Sequence, residues 1–271
     1  RIGACLEKKR LRDKEKTTHE ALLSTQKHLA KELAGAAAYV RSLLPAPLTG
    51  AVQTEWCFQP SDQLGGDAFG HHWLDDDHLA VYLLDVCGHG VGAALLSVSI
   101  MSSLRLQTLP GTDFRRPATV LWALNRAFRM EDQHNLFFSM WYGVYCAPRR
   151  ELCYASGGHP PALLLATGAD GQPQTVSLRT EAPTVGCFDD ARFTSAVQAV
   201  PPGARLLVFS DGVFEVFQGA DRAGTWENFL AGFNLPETRK LRPAERLSSA
   251  LKVRGADKLE DDFSLLELRF V

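Results

Sequence analysis

The stretch Leu79-Ala80-Val81-Tyr82-Leu83-Leu84-Asp85-Val86-Cys87-Gly88-His89-Gly90 sets the placement of everything else in the chain. The apolar run from Leu79 to Leu84 has the length of a buried strand. It ends on a lone acid, passes a Gly-His-Gly turn and enters a small-residue helix start, Val91-Gly92-Ala93-Ala94-Leu95-Leu96. A carboxylate at the mouth of a buried strand is costly to hold unless something cationic meets it. Glycines on both sides of His89 let the backbone turn sharply and come close to a ligand. Taken alone, the stretch is equally a strand-to-helix turn in which Asp85 caps the helix.

On the N-terminal side, Val52 to Phe58 alternates as a strand does. Gly65-Gly66-Asp67-Ala68-Phe69-Gly70 then leads into a second strand near His71 to Leu74. Asp75-Asp76-Asp77 is a tight polar turn that makes a hairpin with Leu79 to Val86. On the C-terminal side a helix runs from Gly90 to Leu109 and closes at Pro110-Gly111. Pro117 opens a second helix, Ala118 to Met130, with Val120, Leu121, Leu124 and Phe128 on one face. Strands follow at Phe137–Cys146, Glu151–Ser156 and Pro161–Ala166, and more weakly at Val176–Leu178 and Phe193–Val200. Ala204–Ser210 and Phe263–Phe270 are stronger strands, with helices expected at Thr225–Gly232 and Pro243–Val253. Strands in runs, with helices in separate pairs, indicate an α+β fold built on mainly antiparallel sheets.

Residues 1–44 differ from the rest. They are rich in Lys, Arg and Glu and contain no proline before Pro45 and Pro47 end the segment. Leu22, Leu29, Ala36 and Leu43 recur every seven residues, and Leu33 and Val40 fill the seam between them. That pattern predicts a long helix with coiled-coil character in its second half. It either lies on its own domain or, as we prefer, dimerises and links the domain at 45–271 to one further upstream. The chain opens on Arg1 rather than Met, which predicts a piece of a longer protein. A formal net charge of −2 gives no field for nucleic acid or anionic lipid. No apolar run is long enough to cross a bilayer and no signal peptide is visible. The six cysteines form no C-x-x-C pair, and free thiols at such spacings suit the cytoplasm.

Four acidic motifs remain, each at a strand end: Asp67 after Gly-Gly, Asp85, Asp211 in Ser210-Asp211-Gly212, and Asp261-Asp262 before the last strand. Gathered in one pocket without Lys or Arg they would repel strongly, a problem that hard divalent cations with a taste for oxygen ligands solve. Any one Asp-Gly is ordinary turn chemistry, and spacing alone does not prove that the four converge.

In this order the motifs resemble the metal-dependent PPM protein phosphatases, in the bacterial SpoIIE/RsbU-like branch. The carriers are Leu44-Pro45, Gly65-Gly66-Asp67, Asp85 to Gly90 followed by Ala93-Ala94-Leu95, Phe138 to Tyr145 before Gly157-Gly158-His159-Pro160-Pro161, Ser210-Asp211-Gly212-Val213, and Asp261-Asp262-Phe263-Ser264. The resemblance implies two antiparallel β-sheets packed as a sandwich flanked by helix pairs. It implies hydrolysis of phosphoserine or phosphothreonine by a water activated between metals, with two, or three, Mn²⁺ or Mg²⁺ ions as cofactors. Asp85 would bridge two ions, Val86 would lend its carbonyl, Asp67 would serve one ion, and Asp211 and Asp261 the other. Asp262 would support its neighbour. His89 would act as a general acid or only hold its turn by hydrogen bonds, and His159 is expected to be a structural turn residue. Cys87 is expected to be a small packed residue.

The branch also implies a phosphorylated anti-sigma-factor antagonist of the STAS type as substrate, in a partner-switching pathway. Arg1 to Arg12 resembles the last helix of a response-regulator receiver domain running into its linker, which implies an upstream receiver that controls a phosphatase output. Two departures stand out. Gly65 to Gly70 lacks the aromatic–acid ending common in the branch, and the phosphate-gripping arginine that the eukaryotic branch carries on its first strand has no counterpart between Ala51 and Pro60. Gly-Gly-Asp-Ala-Phe also echoes the diguanylate cyclases, but Ala68 replaces their Glu and Asp211 and Asp261-Asp262 would have no role. The competing reading is a catalytically weak or inactive module of the same fold that binds a regulatory protein.

Overall fold

The computed structural model describes residues 2–168, 171–213, 229–231, 240–254, 259 and 261–271. The chain divides into two compact units, Arg1–Leu43 and Leu44–Val271.

The first unit is a single helix, α1 (Ile2–Ser42). At 1.5 Å per residue it is about 60 Å long. The hydroxyls of Thr17, Thr18 and Thr25 bond back to the carbonyls of Asp13, Lys14 and Ala21, so these residues satisfy themselves within the helix. Leu11, Leu22 and Leu29 are exposed.

In the second unit the elements are β1 (Val52–Gln59), β2 (Ala68–Trp73), β3 (His78–Val86), α2 (Val91–Arg105), α3 (Pro117–Ala127), β4 (Phe138–Cys146), β5 (Glu151–Gly157), β6 (Ala162–Thr167), β7 (Pro173–Leu178), β8 (Ala196–Ala199), β9 (Arg205–Phe209), α4 (Pro243–Arg254) and β10 (Phe263–Phe270). They form two five-stranded sheets, ordered β1-β10-β9-β6-β7 and β2-β3-β4-β5-β8, with every pairing antiparallel. The α+β sandwich expected from the sequence is the fold observed.

The sheets pack face to face. Leu79, Val81 and Leu83 of β3 meet Leu206 and Val208 of β9 and Leu266, Leu268 and Phe270 of β10 in one core. The intervening residues of β3 point the other way, where α2 and α3 cover the sheet. There Tyr82 stacks on Tyr142 at 6.1 Å, and the Tyr142 hydroxyl donates to the Phe114 carbonyl at 2.9 Å. Both faces of β3 are thus dry, which is why its sequence reads as a continuous apolar run.

The register brings one end of the sandwich together: Ala68 lies opposite Leu84, Asp85 opposite Ser139, Gln59 opposite Phe263, and Phe209 opposite Leu265. The acidic motifs leave their strands at this shared end.

Some boundaries differ from expectation. Helix α2 stops at Arg105, and Gln107 takes a left-handed φ of 52°. The strand expected from Phe193 contracts to Ala196–Ala199, because Ser195 is used elsewhere: its hydroxyl accepts the Ala118 N–H in the first turn of α3. The helix expected at Thr225–Gly232 lies mostly outside the described residues, with 229–231 helical. Among the described residues no helix is long and apolar enough to cross a membrane.

Candidate metal centre

Asp85 is the penultimate residue of β3, paired with Ser139 of β4 and one residue beyond the end of the β2–β3 ladder at Leu84. It does not cap α2, whose N-cap is Gly90 with no side-chain bond. Beyond it the turn is strapped to its neighbours. Val86 N–H donates to the Gly66 carbonyl at 3.4 Å, Gly90 N–H to Leu64 at 3.2 Å and Cys87 N–H to Phe137 at 2.9 Å. Gly88 and Gly90 take φ values of 84° and 90°, in the left-handed region that side chains disfavour. A Cβ on Gly66 would sit 2.6 Å from the Val86 carbonyl oxygen. The glycine therefore keeps a small space open beside that oxygen.

Asp67 stands immediately before β2 and is buried. Its Oδ2 has no hydrogen-bond partner, and its backbone N–H points at Asp262 Oδ2 at 3.4 Å. Asp262, also buried, accepts from the N–H of Ser61 at 2.8 Å and its hydroxyl at 3.0 Å. Its own N–H donates to Asp261 Oδ1 at 2.7 Å. Asp262 thus pins the β1–β2 loop as well as its neighbour, a wider task than the sequence suggested. The Ser210 hydroxyl donates to the Asp262 carbonyl at 3.0 Å and accepts the Ser264 N–H at 3.1 Å, which locks the end of β9 to the start of β10. Asp211 follows at once, the first residue of a helical turn.

The acids lie near enough to perturb Asp67 and Asp85. Burial, then Asp85 and Asp262, pushes the Asp67 carboxyl well above its ordinary range, and the Ser264 and Ser210 hydroxyls offset part of this. Burial followed by Asp211, Asp261 and Asp262 raises Asp85 to about 7. Among the described residues, no three His, Cys, Asp or Glu side chains are already gathered at the geometry of one ion. Asp261 and Asp262 accept hydrogen bonds from the Asp262 N–H and from Ser61. The donor set still fits hard cations: a buried carboxylate oxygen without a partner, an open space beside a backbone carbonyl, and all-oxygen chemistry.

A cavity of about 410 Å³ opens beside this end of the sandwich, lined by Asp85 and Asp211 together with Ser139, His159, Arg179 and Thr184. Cys87 also lines it and accepts the Phe137 N–H on Sγ at 3.3 Å, so it is more than packing. His159 is buried, donates its Nδ1–H to the Pro160 carbonyl at 3.0 Å, and leaves Nε2 without a partner among the described residues. Burial lowers it to about 4, so it is neutral near pH 7. His89 is exposed, and among the described residues its ring makes no hydrogen bond that would hold the turn. His71 and His72 point apart as strand neighbours must: His71 meets Thr54 at 3.0 Å, and His72 packs edge-on to Tyr82. Sequence reasoning missed Ser61, Ser210 and Arg179. Ser210 adjoins Asp211 and was within reach of it; Ser61, six residues before Asp67, and Arg179, in Leu178-Arg179-Thr180, carry no local signal.

A family model described as stage II sporulation protein E (SpoIIE) matches residues 75–271. That segment includes Asp85, Asp211, Asp261 and Asp262, whereas Asp67 precedes it. The phosphoserine phosphatase RsbU of Bacillus subtilis (strain 168) is 27% identical over 264 residues, which cover 93% of this chain and 73% of that protein. The phosphoserine phosphatase RsbP of the same strain is 28% identical over 178 residues, 64% of this chain but 42% of its own length. The chain therefore spans less than half of RsbP. Among solved structures, the SiaA-PP2C domain of Pseudomonas aeruginosa has a TM-score of 0.72 at 20% identity, covering 91% of this chain and 99% of that one. The PP2C phosphatase domain of SpoIIE from Bacillus subtilis, with a fragment of its regulatory domain, has a TM-score of 0.65 at 15% identity, covering 83% and 64%. These two likenesses establish a shared fold.

Proposed function

Since the chain belongs to the SpoIIE family of PP2C-type phosphatase domains, we propose that residues 45–271 hydrolyse phosphoserine and phosphothreonine in proteins with the help of Mn²⁺ or Mg²⁺. The observation that carries this reading is the convergence of Asp67, Asp85, Asp211 and Asp261-Asp262, with Asp85 pushed to about 7 by burial and then by its acidic neighbours. A cluster so unfavourable by itself is stabilised by the charge it collects. When bound, the divalent ions supply positive charge for the phosphoryl oxygens and acidify a water.

The residues of the chain do the rest. Asp85 would be shared between two ions, with the Val86 carbonyl beside it. Asp67 would serve one ion, and Asp211 and Asp261 the other. Asp262 would hold the Ser61 loop and the Asp67 backbone in register, so that the acids cannot relax away from each other. His89 is free to approach a leaving serine oxygen as an acid. The alternative, a binding module without turnover, leaves a mutually repelling acid set, with Asp67 and Asp262 buried, without a purpose.

The substrate we infer is a phosphorylated anti-sigma-factor antagonist of the STAS type, by likeness to RsbU and RsbP, which are named phosphoserine phosphatases. Control by an upstream receiver domain and dimerisation through α1 complete the proposal. Phosphate release from an aryl phosphate and from a phosphoserine peptide with Mn²⁺ is the test. Asp85→Ala and Asp211→Ala should each abolish it, and activity that survives both would sink the metal mechanism.

A further inference from the structure

Resting on the phosphatase reading above, we propose that Arg179 grips the phosphoryl group of the substrate. The cavity that Asp85 and Asp211 line also takes in Arg179, the one residue among its described lining with a fixed positive charge. The other basic group there, His159, is buried and bonded to the Pro160 carbonyl. Strand β1 offers no arginine: it reads Val52-Gln53-Thr54-Glu55-Trp56-Cys57-Phe58-Gln59. A phosphate monoester carries nearly two negative charges at neutral pH, and the carboxylates of Asp85 and Asp211 repel it. A planar guanidinium is the side chain that can hold two phosphate oxygens at once.

The position of Arg179 is built rather than incidental. Leu178, before it, is buried and its carbonyl accepts the Trp141 Nε1–H at 3.0 Å. Thr180, after it, accepts the Ser156 N–H on its hydroxyl at 2.8 Å and donates its own N–H to the Ser156 hydroxyl at 3.4 Å. Both flanking residues are thereby fixed to the second sheet and its neighbours, and Arg179 between them lines the cavity. Its ion pair among the described residues is with Glu181, at 3.7 Å, where the two side chains are 48% and 89% exposed. A long, water-screened pair of that kind contributes little, so phosphate can displace it.

The test uses the chain itself, with Arg179→Met and Arg179→Lys. Kinetics are measured with Mn²⁺ on a phosphoserine peptide, and inorganic phosphate and Mn²⁺ are each titrated by calorimetry. Loss of charge-assisted hydrogen bonds should raise both KM and the phosphate Kd about 10- to 100-fold in Arg179→Met, with kcat falling far less. Arg179→Lys should recover part of the loss, and Mn²⁺ affinity should not change. Phosphate that binds Arg179→Met as well as the parent chain overturns the proposal. So does a joint loss of Mn²⁺ affinity and kcat, the mark of a structural role. A parent chain that binds phosphate but releases none from the peptide refutes the phosphatase reading alone; the two titrations still decide on Arg179.

Discussion

Asp85→Asn removes a charge from the carboxylate cluster with almost no change of shape, and its effect should reverse sign with metal. The Asp85 carboxyl is raised from 3.8 to about 7 by burial and by Asp211, Asp261 and Asp262. A carboxyl whose folded pKa exceeds its unfolded one holds its proton more tightly when folded. Its stabilising contribution is complete below about pH 4 and is lost as pH rises through 7. At 1.36 kcal/mol per pH unit that interval is worth about 4 kcal/mol. Asp67 shares the repulsion and water reaches Asp85 in part, so about 2 kcal/mol is the expected net figure. Asparagine does not titrate. In EDTA the variant should therefore match the parent chain near pH 4 and exceed it by about 2 kcal/mol at pH 8, a rise of about 4–8 °C in Tm for a domain of this size. With Mn²⁺ at a hundred times its Kd the parent chain gains about 2.7 kcal/mol, while Asp85→Asn lacks the shared ligand and gains little. The order of stability then inverts. Urea unfolding at pH 5, 6.5 and 8, with EDTA or with Mn²⁺, reads all of this. A difference that ignores pH, or equal stabilisation of both proteins by Mn²⁺, would refute the reasoning.

Two further outcomes are expected. Gly66→Ala places a Cβ 2.6 Å from the Val86 carbonyl oxygen and 3.2 Å from that of Gly88. The loop must move off, at a cost of about 1–3 kcal/mol in stability, and Mn²⁺ affinity by calorimetry should drop with it; unchanged affinity would remove Val86 from the ligand set. For α1, Leu29→Glu with Leu33→Glu should leave a monomer by light scattering if the heptad seam is a dimer interface, and an unchanged mass would count against the coiled coil.

The fold was legible where burial and alternation agree. β3 declares itself through an apolar run, β10 through alternation, and the Pro117 start of α3 through its fixed φ. The sequence misjudged places where a side chain is spent on a distant backbone group. Phe193–Val200 looks like one strand until Ser195 is seen serving the Ala118 N–H, a contact across 77 residues of chain that no local pattern encodes. The acidic half of the site was legible for a related reason. Each ligand candidate sits at a strand end, and Asp67 and Asp211 sit directly beside glycine or serine, because close backbone approach and short hydrogen bonds leave marks on adjacent residues.

The cationic half leaves no such mark. Arg179 needs only that Leu178 and Thr180 be fixed, and they are fixed by Trp141 and Ser156, which lie far away in sequence. A single flexible arginine reaching across a cavity can come from many backbone positions, since its length absorbs differences that a short aspartate cannot. Metal-collecting carboxylates are therefore tied to particular strand ends, whereas a phosphate-holding cation need only reach the same space. An arginine absent from β1 is consequently no argument that the site lacks one. In a chain of this fold such a cation can stand at any residue flanked by buried neighbours on the cavity side, whatever its position in the order of motifs.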